Sequence, residues 1–169
     1  VIFGKSWTFQ VTDIIKTTLE ENLAMIRDTC AFLKEQGKRI VYDAEHFFTG
    51  FQDDPEYALK SLEAAVEGGA ETLSLCETKG GCMLKDCEKA VRAAVERIGG
   101  RAVIGIHTHN DCGLAVANSL IAVEAGAGEQ LEERYRAEAA ALEAGEPLPD
   151  ARAQELEYTG YTGRSGGAA

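Results

Sequence analysis

Ala102-Val103-Ile104-Gly105-Ile106-His107-Thr108-His109-Asn110-Asp111 carries an apolar strand straight into a polar tip. Residues 102–106 read as the strand, and an apolar helical segment follows near residues 114–124, closed at Gly126. The same unit recurs upstream. Thr72-Leu73-Ser74-Leu75-Cys76 reads as a strand, and a Gly80-Gly81 loop leads to a helix near residues 85–98 that Gly99-Gly100 ends. Residues 39–42 read as another strand. Asp54-Pro55-Glu56 opens the helix after it, because Asp54 can cap and Pro55 suits the first helical position. Val1-Ile2-Phe3-Gly4 reads as a short buried strand. Over residues 18–36, Leu19, Leu23, Ile26, Cys30 and Leu33 fall at the spacing of one helical face.

A chain that alternates strand and helix in this way folds as a parallel sheet with right-handed helical crossovers. Both a doubly wound sheet and part of a (β/α)₈ barrel satisfy that pattern, and periodicity does not choose between them. The character changes after Ala127. Residues 129–145 are rich in Ala and Glu, with Leu131, Tyr135 and Leu142 as a thin apolar stripe, and Pro147 and Pro149 break the pattern. Residues 157–169 are rich in Gly, Thr and Ser. The expected organisation is a partial α/β domain over residues 1–127 and a divergent helical and flexible tail over residues 128–169. The first residue, Val1, lies inside an apolar run, which suggests a piece of something longer.

Lys and Arg number 17 against 28 Asp and Glu, a formal charge of −11 at neutral pH. That balance argues against nucleic acid, whose phosphates call for a basic surface, and against an anionic membrane. No apolar run approaches the roughly 20 residues that span a bilayer, and no basic-then-apolar leader is visible. The five cysteines form no C-x-x-C pair, so they read as reduced thiols of a cytoplasmic protein. No phosphate-binding glycine loop and no nucleophile elbow occurs.

In a strand, residues two apart share a face, so His107 and His109 project together at the strand's carboxyl end. In parallel α/β architectures that end is where sites are built. Two neutral imidazoles there suit a divalent cation; a pair of merely hydrogen-bonded histidines is the alternative. Asn110 and Asp111 can fix the loop or orient an imidazole. Asp43 and Glu45 share a face at the end of another strand, with Glu45 nearer the mouth. Glu45 can act as acid, base or orienter, or simply be a solvated loop acid. His46 faces the other way by alternation and reads as a wall residue. Thr78, in Cys76-Glu77-Thr78-Lys79-Gly80-Gly81, can donate to a substrate carboxylate or belong to an ordinary turn. Lys5 and Trp7 can meet an anionic ligand tail, and Cys76 reads as packing.

Together, five segments resemble the family of citramalate, 2-isopropylmalate and homocitrate synthases. They are Phe3-Gly4-Lys5-Ser6-Trp7, Thr17-Thr18-Leu19-Glu20-Glu21-Asn22, Asp43-Ala44-Glu45-His46-Phe47-Phe48, Cys76 to Gly81, and His107 to Asp111 with Gly113-Leu114-Ala115-Val116-Ala117-Asn118-Ser119 after it. The Asp43 to Phe48 stretch looks most like the citramalate branch. The resemblance implies a partial (β/α)₈ barrel of four βα units, family strands three to six. It implies a divalent metal (Mg, Mn or Zn) held by His107 and His109, catalytic Glu45, and Thr78 on the 2-oxo acid carboxylate. The implied reaction is a Claisen-type condensation of acetyl-CoA with pyruvate, then thioester hydrolysis, on the route to isoleucine. Full-length members are expected to be homo-oligomers. Two other readings stand beside it: a partner-dependent or inactive barrel fragment, and a lyase or decarboxylase of the same superfamily.

The sequence departs from the family at Glu77 and Lys79, where Asp and Asn are usual, and both changes bear on substrate choice. The family's first-strand Arg and metal-ligating Asp, and its seventh-strand Asn in G-E-R-x-G-N-A, have no counterpart. Two histidines without that carboxylate imply weak metal binding. Four βα units also leave two unpaired sheet edges, an association hazard.

Overall fold

Four strands form one parallel sheet: β1 Ile2–Lys5, β2 Val41–Glu45, β3 Thr72–Glu77 and β4 Val103–Thr108, side by side in chain order. The computed structural model describes residues 1–128, which belong to one compact unit, Val1–Leu131. The tail expected beyond residue 128, with its helix and its flexible end, lies outside the described residues.

Helices α1 Leu19–Glu35, α2 Phe47–Asp53, α3 Pro55–Glu67, α4 Leu84–Ile98 and α5 Ala115–Glu124 connect or follow the strands. Their starts obey local chemistry. Thr18 Oγ1 accepts from Glu21 N at 3.1 Å to cap α1, and Asp54 Oδ1 accepts from Tyr57 N at 3.0 Å to cap α3, with Pro55 at its first turn. Two elements are additions to the expected pattern: a π-helical turn at Gln10–Ile14, and α2, inserted directly after β2. β2 also begins two residues later than expected, at Val41, and ends three later, at Glu45 rather than Tyr42.

The sheet resolves the ambiguity between the two architectures. On one face Tyr42, Ala44, Leu73, Leu75 and Ile104 are fully buried, packed with Leu62, Ala65, Val91 and Ala94 from the helices. On the other face Phe3 stands 70% exposed, and Val41, Asp43, Ser74 and Gly105 are half-buried. A doubly wound sheet carries helices on both faces and reverses its strand order at a switch point. Here the order is sequential and the helices among the described residues cover one face only, which is the winding of a (β/α)₈ barrel. The second face is the one a closed barrel turns inward. After α5 the chain returns to the free edge of β4, where Gly128 N donates to Ile104 O at 2.9 Å.

Close approach holds α2 on the sheet. A Cβ at Gly50 would stand 2.2 Å from Ser6 O, so only glycine lets this helix lie against the end of β1. Phe47, Phe48 and Phe51 are buried beneath it, the first two meeting edge to face at 5.6 Å. No helix among the described residues is long and apolar enough to cross a membrane.

Candidate active site

The pleat places Phe3 and Lys5, Asp43 and Glu45, Ser74 and Cys76, and Gly105 and His107 on the open face. In the register Asp43 lies opposite Ser74 and Ser74 opposite Gly105; one pleat nearer the carboxyl end, Cys76 lies opposite His107. Gly105 has no side chain, which leaves room below His107. Asp43, Cys76 and His107 thereby each bring one potential ligand atom to within 4.8 Å of the others. His109 follows as the ladder ends, its backbone N–H donating to Glu77 O at 3.2 Å. Its ring centroid stands 5.2 Å from that of His107, so the two imidazoles share a face as the spacing required.

The loops around this pair are tied together. Asn110 Oδ1 accepts from Ala115 N at 3.1 Å, capping the exposed amide at the start of α5. Gly80 adopts φ +69°, and a Cβ there would lie 2.3 Å from the Asp111 carboxylate; Cys112 N donates to Gly80 O at 3.0 Å. The turn after β3 and the turn after β4 are therefore one packed unit, and Gly80 is required both for its conformation and for the close approach of Asp111. Asn110 thus ties the loop to α5, the first of the two roles the sequence allowed it, and Asp111 packs against Gly80.

Glu45 lies on the same face as Asp43 and is ion-paired with Lys5, its partner across the strands. Lys5 is thus engaged by a carboxylate rather than free for an anionic ligand tail. Thr78 Oγ1 accepts from His46 N at 3.0 Å, which leaves its own proton available to an acceptor. His46 adopts the left-handed conformation, φ 57° and ψ 28°, at the junction of β2 and α2. Its ring lies 5.8 Å from Trp7, and its Nδ1 is buried without a partner among the described residues. Burial lowers its pKa from the ordinary value, favouring neutral imidazole. Trp7 donates to Asp53 Oδ2 at 3.1 Å, and Lys79 Nζ sits 5.1 Å from the Trp7 ring centre.

Glu77 points to the helix side and is only 2% exposed. Its Oε2 has no partner among the described residues, and it borders a cavity of about 240 Å³ with Phe48, Gln52 and Lys79. Any influence of this residue on substrate is indirect, because its side chain is turned from the open face. Cys76 shares the site face, a placement that packing alone did not suggest. Burial, then the nearby Asp43 and Glu45 carboxylates, raises its thiol to about 12.

Residues 1–132 match the HMGL-like family. The chain belongs to that family. This HMGL-like chain is 52% identical over 126 residues to the (R)-citramalate synthase of Aquifex aeolicus and 46% identical over 127 residues to that of Sulfolobus acidocaldarius. Each match takes in 75% of this chain and 24% of the relative. It is 42% identical over 102 residues to the 2-isopropylmalate synthase of Campylobacter fetus, 53% of this chain and 20% of that one. The crystal structure of the HMG-CoA lyase of Bacillus subtilis shares its fold, with a TM-score of 0.64 at 21% identity over 73% of this chain and 42% of the lyase. The chain spans about a quarter of the length of the citramalate synthases it matches.

For this HMGL-like chain, the donor set fits a divalent cation. Imidazole and carboxylate groups converge at the carboxyl end of adjacent strands, on an accessible face. The sequence reading singled out the histidines and missed Asp43 as a neighbour of His107. The available signal was the shared face of Asp43 and Glu45; what it lacked was the stagger between β2 and β4.

Proposed function

We propose that this chain supplies the metal-binding and 2-oxo-acid-binding part of a citramalate-synthase-type site in the cytoplasm. Such a site condenses acetyl-CoA with pyruvate in branched-chain amino-acid biosynthesis. The observation that carries this reading is the pairing of His107 and His109 at the mouth of β4, in a chain 52% identical to a citramalate synthase.

His107 and His109 would hold a divalent Mg, Mn or Zn ion, with Asp43 beside them. Bound there, such an ion supplies Lewis-acid polarisation of the keto group and orients the 2-oxo acid. The Thr78 hydroxyl, braced by His46 N, has its proton free for the pyruvate carboxylate. Glu45, paired with Lys5, would face the acetyl methyl group and accept its proton or position the base that does. The methyl carbon would then bond to the keto carbon of pyruvate as the C=O π bond opens, the new alkoxide oxygen would take up a proton to become the hydroxyl, and water would cleave the thioester to give the carboxylate and free CoA. Trp7, carrying Lys79 on its face, forms a wall beside His46.

A chimera tests the assignment. Residues 1–127 replace the matching quarter of the Aquifex aeolicus enzyme, and CoA release is followed with acetyl-CoA, Mn²⁺ and a series of 2-oxo acids. Pyruvate-dependent release that His107→Ala abolishes is expected. Preference for a longer 2-oxo acid, or cleavage of citramalate without synthesis, would move the chain to another branch or to the lyase reading.

A further inference from the structure

We propose that the cavity beside Glu77 and Lys79 binds a small zwitterion: an α-amino acid whose ammonium group meets the Glu77 carboxylate and whose carboxylate meets the Lys79 ammonium. The cavity lies where α2 meets the turn after β3. Glu77 reaches it from the helix side of the sheet, the side of Leu73 and Leu75, and not from the face that carries His107. The proposal therefore does not rest on a bound metal.

Glu77 sets the chemistry of the floor. It is 2% exposed and lines the cavity, and its Oε2 meets no donor among the described residues. A buried carboxylate oxygen is costly until an N–H or O–H donor reaches it, and a charged donor satisfies it best. The side chains beside it do not serve. Burial pushes the Cys82 and Cys87 thiols up to about 12 and about 11, so both stay protonated, and a thiol is a weak donor. Lys79 lines the same cavity, yet its Nζ rests 5.1 Å from the Trp7 ring centre rather than on the Glu77 carboxylate.

The cavity therefore carries two opposite charges that do not neutralise each other. The negative one lies on the buried floor with Phe48 and Cys82, and the positive one on the exposed rim with Gln52. A simple cation would satisfy the floor and be repelled at the rim; a simple anion would do the reverse. A molecule with both charges on neighbouring atoms answers both. Phe48 and Cys82 offer an apolar wall to its side chain, and Thr49 and Gln52 can bond its remaining polar atoms. The volume, about 240 Å³, falls below the roughly 300–1,000 Å³ of pockets for drug-sized ligands, which limits the occupant to a small amino acid. An exposed cation–π contact is a weak hold on Lys79, and a carboxylate competes with it.

Nuclear magnetic resonance titration of the ¹⁵N-labelled full chain, in reducing buffer with EDTA, reads the site directly. The probes are L-alanine, propionate (alanine without its ammonium) and ethylamine (alanine without its carboxylate). L-alanine should shift the amide signals of Thr49, Gln52, Lys79 and Gly81 to saturation. Propionate and ethylamine should bind at least about tenfold more weakly, each having lost one charged partner. Glu77→Gln and Lys79→Met should each weaken L-alanine binding at least about tenfold. Lys79 is exposed, so its variant keeps the test valid if Glu77→Gln disturbs folding. No saturable shift at these amides overturns the proposal and leaves the cavity to water. Equal binding of propionate or ethylamine, or L-alanine binding unchanged in Lys79→Met, also overturns it. EDTA removes metal throughout, so none of these outcomes bears on the histidine pair.

Discussion

The two faces of the β1–β4 sheet are made from alternate residues of the same strands, yet they answer to different rules. The helix-side face is a set of shapes: Tyr42, Leu73, Leu75 and Ile104 are fully buried, and each is held by its volume. The open face is a set of functional groups, Asp43, Glu45, Cys76 and His107, of which His107 is exposed and Asp43 and Glu45 half-buried. A change on the first face should cost stability and spare ligand binding, and a change on the second should do the reverse.

The largest effect belongs to the packed face. Leu75→Ala should lower the unfolding free energy by about 2–5 kcal/mol in denaturant titration, because it empties a fully buried site between β3 and the helices. Its neighbour Ser74→Ala, on the open face, should stay within about 0.5 kcal/mol of the parent; an equal loss at both positions would erase the distinction between faces.

His107→Ala inverts the pattern. Cation affinity should fall by more than the about 10–100-fold that loss of a supporting partner costs, with the denaturation midpoint unchanged. A large stability loss with intact metal affinity would make His107 a packing residue.

Asn110→Ala sits between these extremes. It removes the acceptor of Ala115 N and should cost about 1 kcal/mol, read as earlier thermal unfolding. An unchanged transition would mean that water replaces this cap without loss.

The smallest effect is a pH dependence. Burial lowers the His46 pKa in the folded chain, so the unfolded chain takes up its proton first as pH falls. Stability from this residue is complete above about pH 6.5 and declines as pH drops toward the folded value. Comparing the slope of stability against pH for the parent and His46→Gln checks the sign; a steeper acid loss in the variant would contradict it.

Legibility in the sequence followed the range of the interactions involved. The starts of α1 and α3 were readable because Thr18 and Asp54 act on amides three residues away. The succession of strands and helices and the shared face of His107 and His109 were readable from periodicity alone. Helix α2 was not. Phe47, Phe48 and Phe51 give it no polar face, Gly50 argues against a helix, and the left-handed turn at His46 that launches it depends on Thr78, 32 residues away. The choice of barrel over doubly wound sheet was also hidden, because it depends on which face each helix covers. The place of Asp43 beside His107 required the register of two intervening ladders, which no local pattern encodes. Lys5 looked free for a ligand because its partner, Glu45, comes from the next strand.

The central claim, that the open face binds a 2-oxo acid through a cation held at His107 and His109, is tested most directly by calorimetric titration of pyruvate into the chain with and without Mn²⁺. The account requires pyruvate binding that appears only with the cation and disappears in His107→Ala. Binding of equal strength without metal, or binding that survives His107→Ala, would contradict it.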